Sequence, residues 1–273
     1  MTRFFTSSLF SRRQALSLAT GAAVLGAGLR RSLAQGVIHV PDNDPRLITG
    51  FIRYVGPEGH VRAYAARTVE YRARPGIVLL NQPGVVSPAA QDFARRLALL
   101  GFYVLAPELP AGADEPGDPP QMVPRDLAIA AEDVIAAAAF LRRRRDSTRL
   151  TGLYGIDWGG TVAAATLTRA SNIDSAVLVS VVPPPWPDQP VRIPVQLHYS
   201  EFDERAMTER FRRFQANLAA GSRLSNTYVY DGANVGFFES TARNYHRAIS
   251  DLIYRRSVEF LEATLKSGTE TRL

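Results

Sequence analysis

The stretch 150–167 limits the fold more than any other part of the chain. Leu150 to Ile156 is mostly apolar, Gly155-Ile156-Asp157-Trp158-Gly159-Gly160 follows, and Thr161 to Leu167 is built of small residues. An apolar run of this length closed by glycine suits a strand buried on both faces. The small-residue run is long enough to start a helix. The glycines between them let the backbone pass close to itself, where a Cβ would collide. Strand, sharp turn and helix lift the residue at the tip, Asp157, above the end of a sheet. This is the setting of a nucleophile elbow, whose raised position ordinarily carries Ser or Cys.

The remaining pattern agrees with an α/β sheet. Alternation over 47–55 and 61–69 predicts a strand ribbon, turning at Gly56-Pro57-Glu58-Gly59. Further strands are expected over 76–81, 103–107, 150–156, 176–182, 195–199 and 227–230. Helices are expected over 88–100, 127–144, from 159, over 206–220 and over 248–265; Phe93, Leu97 and Leu100 share one helical face. A Pro/Gly/Asp-rich loop covers 110–124, and five prolines interrupt 183–190. Strands alternating with helices imply one doubly wound, mostly parallel sheet with helices on both faces. A single domain over 36–273 holds all of it.

Residues 1–35 stand apart. Ser11-Arg12-Arg13-Gln14-Ala15-Leu16 leads into an apolar stretch to Leu29, and Ser32-Leu33-Ala34 closes it. Paired arginines, a short apolar region and a small-x-small end describe a twin-arginine export signal, with removal expected after Ala34 and a periplasmic product. The other reading is a helical anchor that stays attached. The formal charge of +6 includes five arginines of this segment, so the mature chain carries about +1. That balance predicts no nucleic-acid partner and no membrane contact beyond export. The run Arg142 to Arg145 ends a helix, where cations suit the dipole. With no cysteine there is no disulfide and no thiolate nucleophile.

With these elements placed, the chain resembles the dienelactone hydrolase family, in its exported branch. The likeness runs from about Val55 to Leu265. It rests on Asp92-Phe93-Ala94-Arg95-Arg96-Leu97-Ala98 through Leu105-Ala106-Pro107-Glu108-Leu109, on Tyr154 to Gly160, on Leu197 to Arg205, and on Tyr230-Asp231-Gly232-Ala233-Asn234-Val235-Gly236-Phe237. The resemblance implies an α/β-hydrolase fold that opens small lactones or esters with a Cys-His-Asp triad and no cofactor.

The residues depart from that pattern at three positions. Asp157 stands where the nucleophile is expected. A carboxylate can attack an alkyl or epoxide carbon, but it attacks acyl carbon poorly because the mixed anhydride is high in energy. Its more ordinary role is to cap the following helix. Val235 stands where the base is expected. Among His39, His60, His198 and His246, only His246 is a substitute, and a surface histidine is its plainer reading. The second oxyanion donor aligns with Pro83, which has no N–H; Trp158 supplies the first. Gln82 replaces a glutamate beside the nucleophile. The acid position is kept as Asp203, with turn formation as its alternative role. By the family's geometry Asp157, Asp203 and Glu239 converge, with Gln82 and Trp158 alongside. No metal motif links them. The expected function is small-ligand binding on a hydrolase scaffold that has lost acyl hydrolysis. The alternative is a hydrolase using Asp157 against alkyl or epoxide carbon.

Overall fold

The computed structural model describes residues 40–109, 124–184, 191–238 and 243–266. The expected export segment, most of the 110–124 loop, prolines 185, 187 and 190 and Glu239 lie outside the described residues. The sheet and its helices belong to one compact unit, His39–Leu273.

Eight strands form one sheet in the order β1-β2-β4-β3-β5-β6-β7-β8. They are β1 (Leu47–Gly56), β2 (Gly59–Thr68), β3 (Arg74–Leu80), β4 (Tyr103–Pro107), β5 (Ser147–Ile156), β6 (Ser175–Val179), β7 (Val195–Ser200) and β8 (Asn226–Tyr230). The expected ribbon is present: β1 pairs antiparallel with β2, from Leu47 opposite Thr68 to Gly56 opposite Gly59. β2 runs antiparallel to β4, and every other pairing is parallel. β3 and β4 are buried along their whole length, as parallel strands covered on both faces must be.

Five helices cover the sheet: α1 (Pro88–Leu99), α2 (Pro124–Arg142), α3 (Trp158–Leu167), α4 (Glu209–Gly221) and α5 (Arg247–Leu265). One face packs α2, α3 and α4 around Val78, Leu80, Leu153, Leu178 and Leu197. The other face packs α1 and α5 together. There Phe93 makes edge contacts with Tyr154 and Tyr254, at 4.9 and 5.7 Å between ring centres. Two buried side chains of α1 hold the chain at Val40. Asp92 accepts the Val40 N–H (2.8 Å), and Arg95 donates to the Val40 carbonyl (2.7 Å).

The expected element boundaries shift where local chemistry intervenes. β6 stops at Val179 rather than 182, because Ser180 takes φ 55° and leaves the strand. The helix expected over 206–220 divides. A short 3₁₀ turn spans Glu204–Met207, and α4 begins only after Thr208, whose hydroxyl caps Phe211 N–H (3.2 Å). Among the described residues no helix is long and apolar enough to cross a membrane.

Candidate functional site

Asp157 sits at φ 50°, ψ −113°, a conformation that costs a non-glycine residue on the order of 1–3 kcal/mol. The surroundings impose it. Asp157 N–H donates to Val179 O (2.9 Å), and its carbonyl accepts Thr161 N–H (3.1 Å). A Cβ on Gly159 would lie 2.2 Å from the Leu80 carbonyl carbon, and one on Gly155 would lie 2.7 Å from Gly160 Cα. The elbow therefore forms as its glycines demand. It also presses the start of α3 against the end of β3, with Gly159 against the Leu80–Asn81 peptide.

This backbone corrects one expectation. Asp157 occupies the N-cap position of α3, yet its side chain makes no capping hydrogen bond. Capping requires an extended backbone that folds the side chain over the first-turn N–H groups. The positive φ of the elbow turns it elsewhere. The carboxylate does not act as a cap.

Asp203 lies on the turn after β7 and is 1 % exposed. Val235 lies on the turn after β8 and is 40 % exposed. These two turns are fastened to each other. Ser200 Oγ donates to Ala233 O (2.6 Å) and accepts Phe202 N–H (3.0 Å). Glu201 N–H donates to Tyr230 O (3.0 Å), and the Glu201 carboxylate accepts Gly232 N–H (3.1 Å). The two turns on which the acid and the base were expected are thus held together, with Asp203 on one and Val235 on the other.

None of the described histidines replaces it. His60 is exposed at the start of β2, which β4 and β3 separate from β5. His246 caps α5: its Nδ1 accepts Ile249 N–H (3.3 Å). His198 is fully buried, on the sheet face that α5 covers. There Arg256 donates to the Tyr230 oxygen (3.1 Å), and the Tyr230 hydroxyl donates to His198 Nδ1 (2.8 Å). That order leaves the His198 Nε2–H for Gln196 Oε1 (2.8 Å). Burial, with a smaller push from Arg256, lowers the His198 pKa to about 3. It is a neutral core histidine. Sequence reasoning places it in a strand but misses the network, whose members are distant along the chain.

Several carboxylates stand at this end of the sheet. Beside Asp157 and Asp203, Glu201, Glu204 and Asp231 stand exposed on the turns after β7 and β8. At the β1–β2 turn, burial and the nearby Glu58 raise the Asp133 carboxyl to about 6. Among the described residues no three His, Cys, Asp or Glu side chains gather as metal ligands. Trp158 heads α3, where a helix leaves its first N–H groups without intrahelical partners. The expected first donor, the Trp158 N–H, therefore heads the helix, and Pro83, at the expected second position, has no N–H.

Comparison with known proteins agrees with this architecture. The dienelactone hydrolase family matches residues 61–265. A protein of Escherichia coli O157:H7 named "Putative carboxymethylenebutenolidase" is 25% identical over 252 residues, covering 84% of this chain and 92% of that one. A dienelactone hydrolase-like promiscuous phosphotriesterase from metagenomic libraries superposes with a TM-score of 0.67 at 14% identity, over 81% of this chain and 99% of that one. An esterase of Pyrococcus furiosus superposes at 0.61 with 14% identity, over 85% and 100%. At these identities the structures speak for the fold alone. The family match spans most of the chain, and the strand order, elbow and paired turns fit it: the chain belongs to the dienelactone hydrolase family and has the α/β-hydrolase fold.

Proposed function

We propose that this chain binds a small molecule at the carboxyl end of its sheet and does not hydrolyse esters. The observation that carries the reading is Val235, on an intact turn beside a retained acid. Acyl transfer at the elbow needs a nucleophile, a base and an oxyanion hole. Losing a positioned base typically removes about 10²–10⁴ in rate. Losing one oxyanion donor removes about 10²–10³ more. The carboxylate nucleophile adds an unfavourable anhydride. Purified protein is expected to show no hydrolysis of p-nitrophenyl acetate or small lactones above background. Turnover that disappears in Asp157→Asn would overturn the reading.

The strained, uncapped Asp157 favours a second reading: a nucleophile directed at alkyl or epoxide carbon. Attack would form an ester on Asp157: a haloalkane gives an alkyl ester and releases halide, and an epoxide opens to a hydroxyalkyl ester whose alkoxide stays on the neighbouring carbon and takes a proton from water. Incubation with a haloalkane or epoxide series, followed by mass spectrometry, separates the readings. A covalent adduct on Asp157 supports the second, and no adduct across the series sinks it.

The expected workplace is the periplasm, reached by the twin-arginine route. Replacing Arg12-Arg13 by lysines should retain the protein in the cytoplasm; normal export of that variant would refute the route.

A further inference from the structure

The end of the sheet opposite the elbow is basic and partly apolar. The loops entering the parallel strands there carry Arg143, Arg145, Arg149, Arg192 and Arg223, all exposed. Among the described residues no acid stands within ion-pairing distance of these five, whereas Arg144 has Asp146 at 3.9 Å. Arg149 opens β5, Arg192 precedes β7 and Arg223 precedes β8, so the arginines follow the sheet edge across four adjacent strands. At ~4.8 Å per strand they span roughly 15 Å.

Exposed apolar side chains are mixed among them. Tyr71 is 78 % exposed, Val69 50 % and Leu224 62 %. Val69 and Tyr71 lie on the β2–β3 loop, and Leu224 adjoins Arg223. The β2–β3 loop is held firmly. Buried Arg74 donates to Thr68 O (3.1 Å), Thr68 Oγ1 (2.7 Å), Arg72 O (3.1 Å) and Glu70 O. Arg74 N–H donates to Asp146 O (3.0 Å), which ties this loop to the segment bearing Arg143 to Arg149. The interior of the loop is satisfied, so its outward side chains are presented on a fixed platform.

We propose that this face docks on an anionic phospholipid surface. Guanidinium groups bind phosphate through paired N–H donors. A tyrosine with neighbouring aliphatic side chains suits the headgroup–acyl boundary. A nucleic acid would gain from the arginines but would leave Val69 and Leu224 in water. Docking in this pose turns the Asp157 end away from the membrane, where the acidic turns would otherwise meet lipid phosphate. The acids at this end are engaged by other arginines: Glu70 pairs with Arg72 (3.5 Å), Asp146 with Arg144 (3.9 Å) and Asp174 with Arg142 (2.6 Å), which leaves the five arginines as the excess charge.

Vesicle flotation tests the proposal with the chain beginning at Gln35, since the leader would itself bind lipid. That chain retains all eight strands and both helix layers. Vesicles of phosphatidylcholine with about one-third phosphatidylglycerol should carry the protein, and pure phosphatidylcholine should not. Added salt should weaken the binding. Arg143→Glu, Arg145→Glu and Arg149→Glu together should lower partitioning by about a hundred-fold or more, at roughly fivefold for each arginine lost. The melting temperature should stay unchanged. Tyr71→Ser should weaken binding without altering its salt dependence. Equal binding to both vesicle types, or binding unaffected by the triple reversal, would overturn the proposal. So would tight binding to duplex DNA at physiological salt with no flotation.

Discussion

At the carboxyl end of the sheet the turns carry Asp157, Glu201, Asp203, Glu204 and Asp231, and Asp157 and Ser180 both take positive φ. At the amino end the loops carry exposed arginines around a platform fastened by Arg74. The first end holds Asp157 at a positive φ imposed by the elbow. The second spreads charge over a broad edge. One arrangement suits a small ligand met at a point, the other an extended surface met by many weak contacts. The contrast also shows how net charge misleads, since an excess of exposed arginine on one face is masked in a sum over the whole domain.

The comparison can be broken most sharply at the carboxyl end. If the frame there is intact and only its reactive groups are missing, Asp157→Cys with Val235→His should gain ester hydrolysis. The expected rise over the parent is about 10²–10⁴-fold, the worth of a positioned base. A folded double variant with no gain would mean that the two turns no longer present the triad. Next in size is Gly159→Ala. The added methyl meets the Leu80 backbone, so denaturant melts should show a loss of about 3 kcal/mol. A near-neutral result would mean that α3 does not press on β3. The charge reversals on the arginine face come third, with their hundred-fold effect on vesicle binding and none on ester chemistry.

Two smaller effects concern pH. His198 has a folded pKa of about 3, against ~6.5 when unfolded. Between these values the unfolded chain holds a proton that the folded chain lacks. Stability should fall as pH drops from about 6.5 towards 3, by up to about 1.4 kcal/mol per unit from this group. His198→Phe should flatten that slope in acid melts, at a cost in stability at neutral pH. Asp133 has the opposite sign. Its folded pKa is about 6, against ~3.9 unfolded. The folded chain holds the extra proton, so stability declines as pH rises through about 4 to 6. Asp133→Asn should melt higher than the parent at pH 7.5 and no higher at pH 4.

The fold is legible in the sequence because its signals are local. Apolar runs, glycine-bounded turns and helical spacing lie within a few residues of one another, and the Gly155–Gly160 segment encodes its own geometry. The cap reading of Asp157 fails because a carboxylate before a helix looks the same in sequence whether its φ is negative or positive. The tie between Val179 and the elbow decides that angle. The Gln196–His198–Tyr230–Arg256 network is hidden because strand pairing and α5 assemble it from separate segments. Charge polarity is hidden for a similar reason: each arginine's position depends on whether its loop enters or leaves a strand. Glu239 and the export segment lie outside the described residues, so their expected roles rest on sequence.

A rapid-mixing experiment tests the central claim most directly. Mature protein is mixed with excess p-nitrophenyl acetate, and nitrophenolate is followed through the first turnover. Even a site without a base would show one equivalent of release if its nucleophile could accept the acyl group. The expected result is a linear trace at the background rate, identical in the parent and Asp157→Asn. A stoichiometric burst in the parent that vanishes in Asp157→Asn would contradict the loss of acyl chemistry at the elbow.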